Sequence, residues 1–144
     1  MRRKILLQIV AQLLTVGIFC ANVYPCSCEF WSARKKLRKA RAVFVGEVIE
    51  TTCQDASCND NKITFKVEKY WKGVIEQQVT VSSAPPVCCT CGLKVNKGDK
   101  VLVYAYKTDN GELETSLCSS IRIGNEFADK ELKELGKAKT LNRN

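Results

Sequence analysis

Histidine is absent from the 144-residue chain. That removes the side chain that most often serves as general base or metal ligand near neutral pH, and with it every Ser-His and Cys-His nucleophile. Carboxylates occur at Glu47, Glu50, Asp55, Asp60, Glu112 and Glu114, but no pair among them has a spacing that fixes an acid–base geometry. These absences argue against an enzyme. A membrane-length apolar run is missing as well: a spanning helix needs about 20 such residues. The longest candidate, Ile5 to Phe19, is broken by Gln8, Gln12 and Thr15 and is followed by Asn22 and Pro25. Acidic residues are also scarce, 15 against 23 basic ones, for a formal charge of +8.

What is present begins with the leader. Arg2, Arg3 and Lys4 precede the apolar stretch, the pattern of a secretory signal over residues 1–25. Ala21 supports cleavage between 21 and 22, and the alternative cut lies between 25 and 26, directly before Cys26. Export predicts a secreted location, extracellular or periplasmic, and disfavours nucleic acid as a partner. The remainder fits one domain, residues 26–136, with a basic tail over 137–144.

Of nine cysteines, Cys20 falls in the leader, leaving Cys26, Cys28, Cys53, Cys58, Cys88, Cys89, Cys91 and Cys118. An even set in an exported chain reads first as disulfides. The run Cys88-Cys89-Thr90-Cys91 could alternatively hold a soft metal through thiolates, but no metal or other cofactor of its own is expected. Eight cysteines permit 105 pairings, so composition leaves connectivity open.

Periodicity supplies the scaffold. Ala42 to Ile49 reads as a strand interrupted at Gly46, where a bend or bulge is expected. Ile63, Phe65 and Val67 alternate with Lys62, Thr64, Lys66 and Glu68, and Val79 and Val81 with Thr80 and Ser82. Val101 to Tyr106 is apolar on both faces and reads as a central strand, and Leu113 to Cys118 as a fifth after the Asp109-Asn110-Gly111 turn. Five short strands predict a mainly β fold closed into a small barrel.

Two helices flank it. One covers residues 31–40, without Gly or Pro; the other runs from Phe127 to about Leu135, capped by Asn125 and Gly136. The first carries Arg34, Lys35, Lys36, Arg38 and Lys39, followed by Arg41, which is either a solvated face or a patch for an anionic glycan or membrane surface. After Gly136 little is left to bury, which predicts a frayed tail.

The exported Cys26-Ser27-Cys28, then Ala42-Val43-Phe44-Val45-Gly46, Ser82-Ser83-Ala84, Cys91-Gly92 ahead of Gly98, the tyrosine-bearing strand Val101 to Tyr106, and Thr115-Ser116-Leu117-Cys118 together resemble the N-terminal domain of tissue inhibitors of metalloproteinases. These belong to the wider netrin-like group with an OB-type barrel. The resemblance spans residues 26–120. It implies disulfides Cys26–Cys91 and Cys28–Cys118, and a partner that is a zinc metalloproteinase. The amino nitrogen and carbonyl oxygen of Cys26 would chelate the target's zinc, Ser27 would enter its specificity pocket, and Ser83, Ala84, Pro85, Pro86 and Val87 would form a neighbouring contact ridge. Cys53, Cys58, Cys88 and Cys89 remain, either as Cys53–Cys58 with a vicinal Cys88–Cys89 or crossed between the two segments. Pro25 before Cys26, and the basic helix in place of the family's further cysteine ahead of the first strand, depart from the family pattern. The alternative function is a netrin-like adhesion or glycan-binding module, using Arg34, Lys35, Lys36, Arg38, Lys39 and Arg41.

Overall fold

Strand β1 (Ala42–Thr51) is hydrogen-bonded along both edges, antiparallel to β2 (Asn61–Lys72) and to β4 (Lys100–Lys107). The computed structural model describes residues 26–52, 61–74, 76–86 and 90–141. Strand β3 (Gln78–Ser83) pairs antiparallel with β2, and the two-residue β5 (Leu113–Glu114) lies parallel to β3 and antiparallel to β4. The order β1-β2-β3-β5-β4 closes through the β1–β4 ladder, giving a mixed, OB-like five-stranded closed barrel stapled by two disulfides. A sixth segment, β6 (Ser120–Arg122), runs along β4 beyond β5, pairing Ser120 with Val103 and Arg122 with Val101. Helix α1 (Ala33–Lys39) precedes the barrel and α2 (Glu126–Leu135) follows it.

The two-faced apolar pattern of Val101 to Tyr106 has a direct cause. Val101, Val103 and Ala105 join Phe44, Val48, Ile63 and Phe65 inside the barrel, whereas Leu102 and Tyr104 face outward. There they meet Ala33, Ala40 and Leu135 of the helical layer, beside Val43 and Val45 of β1. One wall therefore separates two apolar cores, and its strands are apolar on both faces for the same reason that doubly covered strands generally are. Inside the barrel, Phe44 and Phe65 pack edge to face with ring centroids 5.6 Å apart.

Gly46 sits at one of three register shifts in the β1–β2 ladder, between Val45 and Gly46. A Cβ there would come within 2.9 Å of the Phe65 Cβ and 3.1 Å of the Lys66 carbonyl oxygen, so the bend brings two backbones too close for a side chain.

Three expectations need adjustment. The strand expected over Leu113 to Cys118 stops at Glu114, and Leu117–Ser119 form a 3-10 turn before β6, which the alternation did not reveal. Hydroxyls explain the break: Thr115 Oγ1 donates to the Tyr104 carbonyl at 3.2 Å and the Ser119 hydroxyl accepts from the Ser116 N–H at 2.8 Å. Such bonds offer the backbone an alternative to a ladder. Strand β2 extends past the alternating stretch Lys62 to Glu68, on to Lys72. The first helix is shorter than residues 31–40, because the Ser32 hydroxyl accepts from the Lys35 N–H and starts the helix at Ala33. Residues 137–141 are not frayed: Lys139 exchanges two backbone hydrogen bonds with Tyr70, at 2.9 and 2.7 Å, and Leu141 packs against the barrel core. The second helix has the expected caps, with Asn125 Oδ1 accepting from the Ala128 N–H at 2.8 Å and Gly136 at φ 72°.

Candidate functional site

The segment from Cys26 to Trp31 belongs to no helix or strand, and along Cys26-Ser27-Cys28 the side chains alternate half-buried, exposed, half-buried. Cys26 is bonded to Cys91 and Cys28 to Cys118, with Cα–Cα separations of 5.6 and 5.3 Å, and Ser27 between them is exposed. These are the two bridges that the resemblance implies. The pinned segment becomes a ridge held at two adjacent points by partners 65 and 90 residues away.

Those partners are themselves fixed. The Leu117 N–H donates to the Cys91 carbonyl at 2.9 Å and the Thr115 N–H to the Ser82 carbonyl at 2.9 Å. Thr90 Oγ1 donates to the Pro85 carbonyl. Gly92 permits a close approach: a Cβ there would lie 2.2 Å from the Ala84 carbonyl oxygen and 2.4 Å from that of Pro85. The ridge, the 84–86 segment and the 115–118 turn are thereby brought together on one side of the barrel.

Of the expected contact ridge, Ala84, Pro85 and Pro86 are half-buried at this surface. Ser83 is turned inward: it is 4 % exposed and its hydroxyl accepts from the Leu93 N–H at 2.8 Å, so it positions the Leu93 backbone and presents nothing to a partner. A serine followed by a buried backbone donor ten residues on leaves no signal in the sequence. Val87, Cys53, Cys58, Cys88 and Cys89, together with the leader and Cys20, lie outside the described residues.

Sequence reasoning missed two apolar side chains beside the Cys28–Cys118 bridge. Phe30 is 93 % exposed and Leu117 is 51 % exposed. Each lies within two positions of a bridged cysteine, and that adjacency was the available clue. Next to them a groove of about 410 Å³ is lined by Glu29, Trp31, Tyr106, Glu114 and Ser116. Burial pushes the Tyr106 phenol above its ordinary value.

The basic helix divides into three. Lys36 is not part of a surface patch: it is 9 % exposed, and its ammonium is paired with the Glu131 carboxylate of α2, itself 7 % exposed. Lys35 and Lys39 lie over the Trp31 ring at 4.2 and 4.6 Å from its centroid, and Lys35 also reaches Glu29 at 3.6 Å. Arg34, Arg38 and Arg41 are exposed. The end of the helix is held by Lys72, whose ammonium donates to the Leu37 and Arg38 carbonyls at 3.1 and 2.9 Å, a favourable place for a cation.

Among the described residues, no group of three or more Cys, Asp or Glu side chains is placed to hold a metal ion, and no helix is long and apolar enough to cross a membrane. The two disulfides belong to an oxidising, extracellular type of environment. Comparison of the chain with protein-family models and with curated proteins finds no match.

Proposed function

We propose that the protein is a secreted inhibitor of zinc metalloproteinases that acts through the Cys26-Ser27-Cys28 ridge. The observation that carries this reading is the double tethering of the ridge, Cys26 to Cys91 and Cys28 to Cys118, with Ser27 left pointing outward. A catalytic zinc keeps an open coordination position. The α-amino nitrogen and carbonyl oxygen of a chain beginning at Cys26 form a five-membered chelate suited to that position. Ser27 follows as the side chain nearest the specificity pocket, and Ala84, Pro85 and Pro86 lie alongside as further contacts. Because the ridge is already ordered, little conformational freedom is lost on docking.

The mechanism demands a free, neutral amine. An unperturbed α-amino group has a pKa of about 8, so inhibition weakens as pH falls below neutrality. The test compares a form of the protein beginning at Cys26 with one beginning at Asn22, against a panel of zinc proteases. Inhibition by the first and not the second supports the chelate. Equal inhibition by both, or none by either, refutes it.

A further inference from the structure

The outward face of α1 does not end at α1. Arg34 and Arg38, one turn apart, form one wall of an open cleft of about 650 Å³, and Lys133 of α2 stands on the other, above Leu37 and Leu135. Almost a hundred residues of sequence separate the two walls, which is why the charge run around Arg34 gave no hint of Lys133. Among the described residues, none of these three cations is held in an ion pair, in contrast to Lys35 and Lys36. The single carboxylate at the cleft, Glu134, already accepts from the Ala33 N–H at 3.3 Å. Helix α1 itself, Ala-Arg-Lys-Lys-Leu-Arg-Lys, contributes no acid.

We infer that this cleft is a binding site for a sulfated polysaccharide. The chemistry follows from the donors. Two guanidinium groups on successive turns present flat, multiply donating forks that match the oxygens of a sulfate, and Lys133 adds a compact cation across the gap. Unpaired cations on two facing elements suit a chain of repeated anions better than one small ion. A membrane surface fits less well, since such contacts combine cations with inserted apolar side chains. The exposed large apolar residues, Phe30, Leu117 and Phe127, do not line the cleft. The site is separate from the Cys26 ridge and stands whether or not that ridge inhibits a protease.

The test measures binding to a heparin octasaccharide across a salt series for the parent protein, for Arg34→Gln/Arg38→Gln/Lys133→Gln, and for Lys66→Gln/Lys94→Gln/Lys107→Gln, which removes equal charge from exposed positions elsewhere. Counterion release makes log K fall with log salt in proportion to the cations engaged. The cleft variant therefore loses on the order of tenfold to a hundredfold in affinity at physiological salt, and its slope becomes shallower by two to three. The control variant stays close to the parent. Equal losses in both variants, or none in the cleft variant, overturn the site. A second measurement needs no variant: heparin should shield Lys133 of the parent protein from acetylation while leaving Lys94 reactive, and equal labelling of both rejects the proposal. Binding to phosphatidylserine vesicles without binding to heparin would also reject it, in favour of a lipid surface.

Discussion

Lys36 and Glu131, 95 residues apart in sequence, meet in the seam between α1 and α2 as a buried ion pair. The Tyr104 hydroxyl of β4 donates to the same carboxylate oxygen at 2.9 Å. One carboxylate thus joins both helices to the barrel wall. Removing one partner of a buried pair strands the other charge, typically at about 3–5 kcal/mol, whereas replacing both with apolar residues is often neutral. Lys36→Met should therefore lower the urea midpoint sharply, and Lys36→Met/Glu131→Leu should recover most of it. Heparin binding by the folded double variant should match the parent, because Lys36 faces inward.

The Cys28–Cys118 bridge closes a loop of 90 residues. In the chain-entropy account a loop of that size stabilises by about 4–5 kcal/mol. Cys28→Ser/Cys118→Ser should melt well below the parent, and peptide mapping without reductant should recover Cys28 linked to Cys118 from the parent.

Gly92 and Gly124 offer a controlled pair. A Cβ at Gly92 would collide with the Ala84 and Pro85 carbonyl oxygens at 2.2 and 2.4 Å, whereas one at Gly124, φ 107°, meets nothing within 4 Å. Gly124→Ala incurs only backbone strain. Gly92→Ala must push the 84–86 segment away from Cys91, with overpacking costs of about 1–3 kcal/mol. Thermal melts should rank Gly92→Ala as the less stable variant. It alone should also weaken protease inhibition, since it moves the ridge relative to Ala84, Pro85 and Pro86.

Tyr104 and Tyr106 are both held protonated beyond the ordinary phenol range, Tyr104 by burial and by the Glu131 carboxylate beside it, Tyr106 by burial. A phenol loses its proton to become charged, with a reference pKa of about 10. Below that value both folded and unfolded states keep the proton and the linkage contributes no slope. Above it the unfolded chain ionises first, so stability falls as pH rises. Denaturant midpoints measured from pH 8 to 11.5 should be level and then drop. Tyrosinate absorbance should rise in two phases, the later one coinciding with unfolding.

Much of the barrel could be read directly from the chain. Ile63, Phe65 and Val67 alternate because one face of β2 is core, and Val101 to Tyr106 is apolar throughout because both faces are covered. Asn125 and Gly136 bound α2 through local bonds that sequence spacing can reveal. The remainder depended on partners far along the chain. Lys36 looked like its neighbours on a basic helix until Glu131 was placed opposite it. Ser83 looked like surface until its hydroxyl met the Leu93 N–H. β6 was hidden because Thr115, Ser116 and Ser119 satisfy backbone groups locally and break the alternation that would have announced a strand. At the candidate site, the two bridges were implied by the resemblance alone, and the outward Ser27 by its place between two cysteines. Phe30 and Leu117 did not, since exposure of an apolar side chain is a property of the finished surface.

The barrel's thinnest seam, between β3 and β5, consists of one residue pair, Ser82 with Glu114, and the adjoining Thr115 N–H to Ser82 carbonyl bond. Cys118 follows within the same turn, and Cys91 accepts a backbone bond from its neighbour Leu117. The covalent links therefore stand where the hydrogen-bonded ladder is thinnest. The cylinder is fastened by sulfur as much as by sheet. In a reducing milieu the Cys26–Cys28 segment would lose both covalent anchors, and the β3–β5 seam would be left to its few backbone bonds.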